Sequence, residues 1–313
     1  MNRAVKFLIM IFLLFSFTAC GNEADAKENE VDIKENETVE PLAPEERYEV
    51  PEFNESIFNE AEAEYKNGAY IDLSSVSKGY VAVKAESDAR LKFQVITDVT
   101  YNYNISSEGE VSIFPLQSGD GEYHFRVMEN ISDNRYAVLF ETSANVTLED
   151  EFQPYLRSSD YAYYTKDSEC VKLASSFSET SRTANEVISK VYDYVCDHIT
   201  YDKPKAENIK SGYLPLPDET LATGKGICFD YASLTAAMLR SQGIPTKVIF
   251  GYVSPNDLYH AWNMFYTEES GWVTVEFKVS GNEWTRMDLT FSANGSDQRF
   301  IGDGSNYAQV YEY

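Results

Sequence analysis

Hydrophobic and polar positions change period along this chain, and each change predicts an element. Residues 7–17 are an unbroken apolar run behind Arg3 and Lys6. Residues 22–67 are sparse in apolar side chains until Phe53, Ile57, Phe58 and Ala61, whose helical spacing predicts a short docking helix within residues 53–66. From residue 69 to 149 apolar and polar residues alternate in short runs, at 80–85, 90–97, 100–105, 110–114, 122–128 and 135–140. Turn-forming clusters at 106–109, 118–121 and 130–134 separate them. Alternation with a period of two, interrupted at such intervals, predicts a β-sandwich. Nothing in that region has a catalytic pattern, and His124 reads as a packed sheet residue.

From about residue 168 the period lengthens. Residues 184–199 place Val187, Ile188, Val191, Tyr192, Val195 and Ile199 on one helical face, with Cys196 and His198 in the last turns as structural residues. Residues 228–242 form a second helix, stopped by Gly243 with Pro245 two positions on. Strands are expected at 246–253, 260–266 and 271–277, with a fourth at 284–291. Helices first and an antiparallel sheet after is an α+β order. The chain therefore divides into a β-sandwich over 68–167 and an α+β domain over 168–313.

The amino end sets the expected compartment. Its apolar run is too short to span a bilayer, which takes ~20 apolar residues. A basic start, a short apolar core and the small Thr18 and Ala19 describe an export signal over residues 1–19. Cys20 follows, and the sequence FTAC-GN resembles a bacterial lipobox, whose cysteine receives lipid. Residues 22–67 carry 16 Asp or Glu against 4 Lys or Arg, so residues 20–67 read as a flexible acidic tether. The expected protein is extracytoplasmic and anchored to the membrane by lipid.

Charge narrows the partners. The chain carries −25; the leader holds +2 and the tether −12, which leaves −15 on residues 68–313. A body that acidic excludes nucleic acid, because phosphate binding needs clustered Lys and Arg. Beyond Cys20 the cysteines are Cys170, Cys196 and Cys228, an odd number, so at least one thiol is left over whether or not Cys170 and Cys196 pair.

Cys228 is where a reactive thiol belongs. The sequence GKGIC puts it at the amino end of a helix, where unsatisfied N–H groups and the helix dipole favour an anion. A buried cysteine can equally be a small hydrophobe. His260 opens the run HAWNMFY at the mouth of a strand, and Asp288 lies in the otherwise mostly uncharged run WTRMDLTF, where a carboxylate needs a partner. Thiol, imidazole and acid are the parts of an activated nucleophile, and their order along the chain is that of papain-like proteases.

These residues carry a resemblance. The stretch GKGICFDYASLTAAMLRSQGIPTKVIFGYV, with YHAWNMFY, GWVTVEF and WTRMDLTF, is similar to the transglutaminase-like core domain of exported bacterial proteins, across residues 170–295. The resemblance implies a papain-like α+β fold and a triad of Cys228, His260 and Asp288. It also implies an upstream side chain as second oxyanion donor beside the Cys228 N–H, for which Tyr201 is the candidate. Met264 departs from the acidic residue common after HAWN in such sequences. No cofactor is expected, and three histidines in separate elements without a CxxC pair offer no metal spacing. Two readings follow: a cysteine enzyme acting on amide or peptide bonds of a protein or peptide substrate, cell-wall associated or not, with hydrolysis ahead of crosslinking; or a catalytically idle surface module that binds cell-wall or protein ligands.

Lipid attachment makes a specific prediction. Cys20→Ser should leave the protein unprocessed or release it from the membrane fraction, read by fractionation and migration; unchanged behaviour would refute the anchor.

Overall fold

A computed structural model describes residues 42–253, 258–268, 271–273, 276–279, 283–286 and 307–313. The expected export signal over residues 1–19 and Cys20 lie outside them. The alternating half forms two facing sheets. One is built from β1 (Glu64–Lys66), β2 (Ala69–Asp72), β3 (Tyr80–Ala85) and, further along the chain, β6 (Ser112–Pro115), in the order β1-β2-β3-β6. The other contains β4 (Leu91–Ile96), β5 (Thr100–Ile105), β7 (Gly121–Ser132) and β8 (Arg135–Val146), in the order β5-β4-β7-β8. Period-two patterning gives each strand one buried face: Leu91, Phe93 and Val95 of β4 point inward while Lys92 and Gln94 are half-buried. Phe93 stacks on Phe114 of the opposite sheet at 5.5 Å between centroids.

The docking helix expected within 53–66 does not form. That segment is extended and ends in β1, which pairs with β2 through the Asn67–Gly68 turn. Its polar groups find long-range partners instead of a helical ladder: the Ser56 hydroxyl donates to the Ser158 carbonyl, and the Tyr80 hydroxyl accepts from the Ile57 N–H. Phe53 packs edge-on against Tyr164 at 5.8 Å. Residues 42–66 are therefore part of the body, not of a loose tether, because tertiary contacts outweigh the weak helical spacing of four apolar residues.

The second half contains α1 (Glu169–Ser178), α2 (Ala184–His198), the two-residue strand β9 (Thr200–Tyr201), α3 (Lys203–Asn208), α4 (Pro217–Thr223), the two-residue strand β10 (Lys225–Gly226) and α5 (Cys228–Ser241). Then come β11 (Thr246–Val253), β12 (Leu258–Thr267), β13 (Gly271–Val273), β14 (Glu276–Val279), β15 (Glu283–Arg286) and β16 (Tyr307–Glu312). Their main sheet has the order β13-β12-β11-β16, and β14 pairs with β15. The expected single strand over 271–277 is split into β13 and β14.

Every residue from 230 to 241 is buried, so α5 runs through the interior with helix neighbours on one side and the sheet on the other. Ala232, Ser233, Ala236 and Ala237 keep it slim enough for that position. Tyr231, Leu234, Ala237, Met238 and Leu239 pack into a core with Val187, Ile188, Val191 and Val195 of α2. Ala232 and Ala236, on another face, join Val248, Ala261 and Tyr313 in the same apolar cluster as Phe93, Tyr103 and Phe125 of the sandwich. The described body therefore shares one core across its two halves.

Arg240, 2% exposed, closes this arrangement without a carboxylate. Its guanidinium donates to the carbonyls of Thr246 (2.8 Å), Arg157 (3.0 Å) and Tyr313 (2.8 Å). Burial lowers its pKa to about 10, with Tyr164 and Tyr155 opposing the shift. One cation thus joins α5, the linker after the sandwich and the residue after β16.

Candidate functional site

Cys228 is the first residue of α5, as expected from GKGIC. The local chain explains why the helix starts there. Ile227 at the N-cap has no polar side chain, and the Asp230 carboxylate accepts its N–H at 2.7 Å. That is half of a capping box, and it leaves the first-turn N–H groups of Cys228 and Phe229 without helical acceptors. Gly226 is required for this fold-back: a Cβ there would lie 2.5 Å from the Asp230 Cβ and 3.2 Å from its carboxylate.

Asp230 is fully buried and has two further partners. It accepts from the Tyr213 hydroxyl at 2.5 Å and pairs with the Lys205 ammonium of α3 at 2.9 Å. Lys205 also donates to the Tyr213 hydroxyl at 2.7 Å. Burial works against the Lys205 charge, but the bonds to Tyr213 and Asp230 win and raise its pKa. Burial and the Asp230 bond push Tyr213 up to about 12. This cluster was not anticipated. A carboxylate at the third position of a helix was a readable signal, but partners in α3 and a loop were not.

His260 comes from β12. The expectation placed it at the strand's mouth; pairing with β11 begins two residues earlier, at Val253 opposite Leu258, so His260 is the third residue of the strand. It is 3% exposed, sits opposite Gly251, and its ring lies 6.3 Å from Trp262. Asn263, three positions on, donates to the carbonyl of Ala232 in α5 (3.0 Å) and to that of Lys247 in β11 (3.1 Å). This side chain fixes the histidine strand against the cysteine helix.

Cys228 and His260 line one cavity of about 520 Å³. Tyr201 lines it as well. The pairing of β9 with β10 sets Tyr201 beside Gly226, two residues before the thiol. Burial, then the neighbouring Cys228 and Asp230, raise the Tyr201 pKa, so the phenol keeps its proton and can donate. The structure thus brings together Cys228, His260 and Tyr201, whereas Asp288 lies outside the described residues. Six tyrosines and three phenylalanines are among its lining residues. Of the tryptophans that could have formed a dry channel, Trp262 packs with Ile249 and Val253, and Trp272 lies against Phe152, Tyr155 and Tyr266; neither lines the cavity. The Trp284 side chain lies outside the described residues. Cys170, Cys196 and Cys228 are all thiols. Cys170 is buried against Asp218, and burial first, then that carboxylate, drives its pKa well up.

The Asp230 cluster predicts graded losses of stability. Asp230→Ala leaves Lys205 and Tyr213 without their shared acceptor and should cost about 3 kcal/mol in urea unfolding. Tyr213→Phe removes a single hydrogen bond and should cost about 1 kcal/mol. Equal costs for the two variants would contradict the cluster's role.

Residues 171–277 match the model of the transglutaminase-like superfamily. A curated relative, UPF0252 protein MJ1282 of Methanocaldococcus jannaschii, is 39% identical over 62 residues, which is 18% of this chain and 18% of that protein's length. Among solved structures, similarity extends to a candidate cysteine protease of Cytophaga hutchinsonii, with 14% identity over 75% of this chain and 86% of that chain and a TM-score of 0.34. It extends also to Legionella pneumophila LapG (16%, 46% of this chain and 80% of that chain, TM-score 0.31) and to red sea bream transglutaminase (12%, 67% and 48%, TM-score 0.27). The likeness rests on the sequence match, which contains both the Cys228 helix and the His260 strand: residues 171–277, about a third of the chain, match the transglutaminase-like superfamily.

Proposed function

We propose that the protein is an exported, lipid-anchored cysteine enzyme that acts on amide or peptide bonds through a thioester on Cys228, with hydrolysis ahead of crosslinking. One observation carries the reading: a thiol at a helix amino end and a buried imidazole line the same cavity. In the proposed cycle His260 takes the Cys228 proton, and the thiolate attacks the amide carbonyl carbon. The oxyanion that forms is met by the Cys228 N–H and the Tyr201 hydroxyl. The C–N bond breaks as His260 returns the proton to the leaving amine. Water, deprotonated by His260, then attacks the thioester; the acid leaves and the thiol is restored. Asp288 is assigned the role of holding the imidazole tautomer and stabilising its cation.

Hydrolysis is placed first because transfer needs an amine held near the thioester with water excluded. The acidic surface could attract cationic amines, but salt screens that field beyond about 8 Å. The two tryptophans whose surroundings are described do not wall the cavity.

A glutamine-peptide panel incubated with a labelled alkylamine tests the proposal. Free acid should exceed labelled product, and Cys228→Ala should abolish both. His260→Ala should cost ~10²–10⁴ in rate, and Asp288→Asn up to ~10⁴ without loss of fold. Labelled product in excess would reverse the order of the two outcomes. Absence of both products would favour the idle binding module.

A further inference from the structure

The role of the sandwich is legible in what borders the cavity. Asn102, Tyr103 and Asn104, three consecutive residues of β5, all line it. Successive side chains of a strand point to opposite faces, as the exposed Asn102 and Asn104 and the 1% exposed Tyr103 do here. Three in a row can border one space only if that space abuts the strand's edge. β5 is the outermost strand of its sheet, paired to β4 from Ile105 opposite Leu91 to Thr100 opposite Ile96. Among the described residues no strand and no loop backbone bonds to its other side. A row of backbone N–H and C=O groups therefore faces the space that holds Cys228 and His260.

Such an edge is a template for another strand. The remaining lining fits an uncharged chain: Lys210 is the sole lysine, arginine or carboxylate among the described lining residues, although residues 68–313 carry −15. Leu214 and Tyr259 line the cavity while staying 36% and 51% exposed, apolar surface that substrate side chains would cover. The loop over residues 209–214 lines it as well. At Gly212 a Cβ would come within 3.0 Å of the Asn104 amide nitrogen, so loop and strand are in contact there.

We infer that the outer edge of β5 is the docking strand of this cleft, and that the substrate is an extended polypeptide segment paired to it through its backbone. The inference rests on the catalytic reading of Cys228. It adds that the sandwich is half of the substrate site, with main-chain pairing supplying affinity and the alternating pockets supplying side-chain preference.

A thiol-directed probe tests it on the whole mature protein. Two acyloxymethyl ketones are compared, one bearing a tetra-alanine arm and one bearing only an acetyl group. In each, the Cys228 thiolate displaces the carboxylate and leaves a thioether that mass spectrometry assigns. The armed reagent should label Cys228 at least tenfold faster. N-methylation of alternate arm amides should remove most of that gain in one register and little in the other, since every second amide faces the docking strand. Asn102→Arg, which crowds the edge, should reduce the gain at least fivefold. Equal rates for armed and bare reagents, indifference to N-methylation in both registers, or a full gain in Asn102→Arg would overturn the inference. If neither reagent labels Cys228 in the native protein while both label the denatured chain, the catalytic reading itself fails, and this inference fails with it.

Discussion

A carboxylate with no exposed surface, two residues past Cys228, must be satisfied by the protein, because an unpaired buried charge costs several kcal/mol. Asp230 meets that demand with three partners, and each belongs to a different piece of the site. The Ile227 N–H sets the direction in which α5 begins, and with it the position of Cys228. The Tyr213 hydroxyl holds the loop over residues 209–214, which lines the cavity. Lys205 ties down α3, which leads into that loop. If the carboxylate moved, the helix start and the loop would lose their common reference.

The opposite wall depends on packing more than on charge. Asn263 bonds α5 to β12 and β11, so the imidazole and the thiol are carried by elements joined through one amide side chain. Behind them, the apolar cluster shared by α5, the sheet and the sandwich fixes β5 beside the cavity. Arg240 reinforces the same junction through three carbonyls. The sandwich therefore does not need chemistry of its own to matter to the site. Its position is set by burial, and its edge is presented as a consequence.

Periodic elements were legible in the sequence, and contacts made at a distance were not. Residues 80–85, 100–105 and 246–253 were read as strands with the bounds they have: 100–105 alternates between an exposed and a buried face, and the other two are mostly buried runs rich in β-branched and aromatic residues. The helices at 184–198 and 228–241 carried a helical stripe or a clear stop signal. The strap over residues 42–66 was misread because its apolar spacing is weak and its polar groups are satisfied by Ser158, Tyr80 and Asp72, far along the chain. β16 and α1 went unnoticed for a related reason: one is a six-residue edge strand with four exposed residues, 308–311, the other a short helix whose amino end is capped from Asp218. At the site, Cys228 and His260 were named from residue type and position, and Tyr201 only through the family resemblance. The share of the cavity wall supplied by β5 was hidden, since no local pattern reports which strand edge meets which helix end.

The central claim is that Cys228 forms a covalent acyl intermediate. The most direct measurement is an acid-quenched mass spectrum of the mature protein mixed briefly with an activated acyl ester of a short peptide. The account predicts one acyl group on the proteolytic fragment containing Cys228, removable by hydroxylamine as a thioester is, and absent from His260→Ala at the same mixing time. An adduct distributed over Cys196 and Cys228, or one unaffected by loss of the histidine, would contradict it.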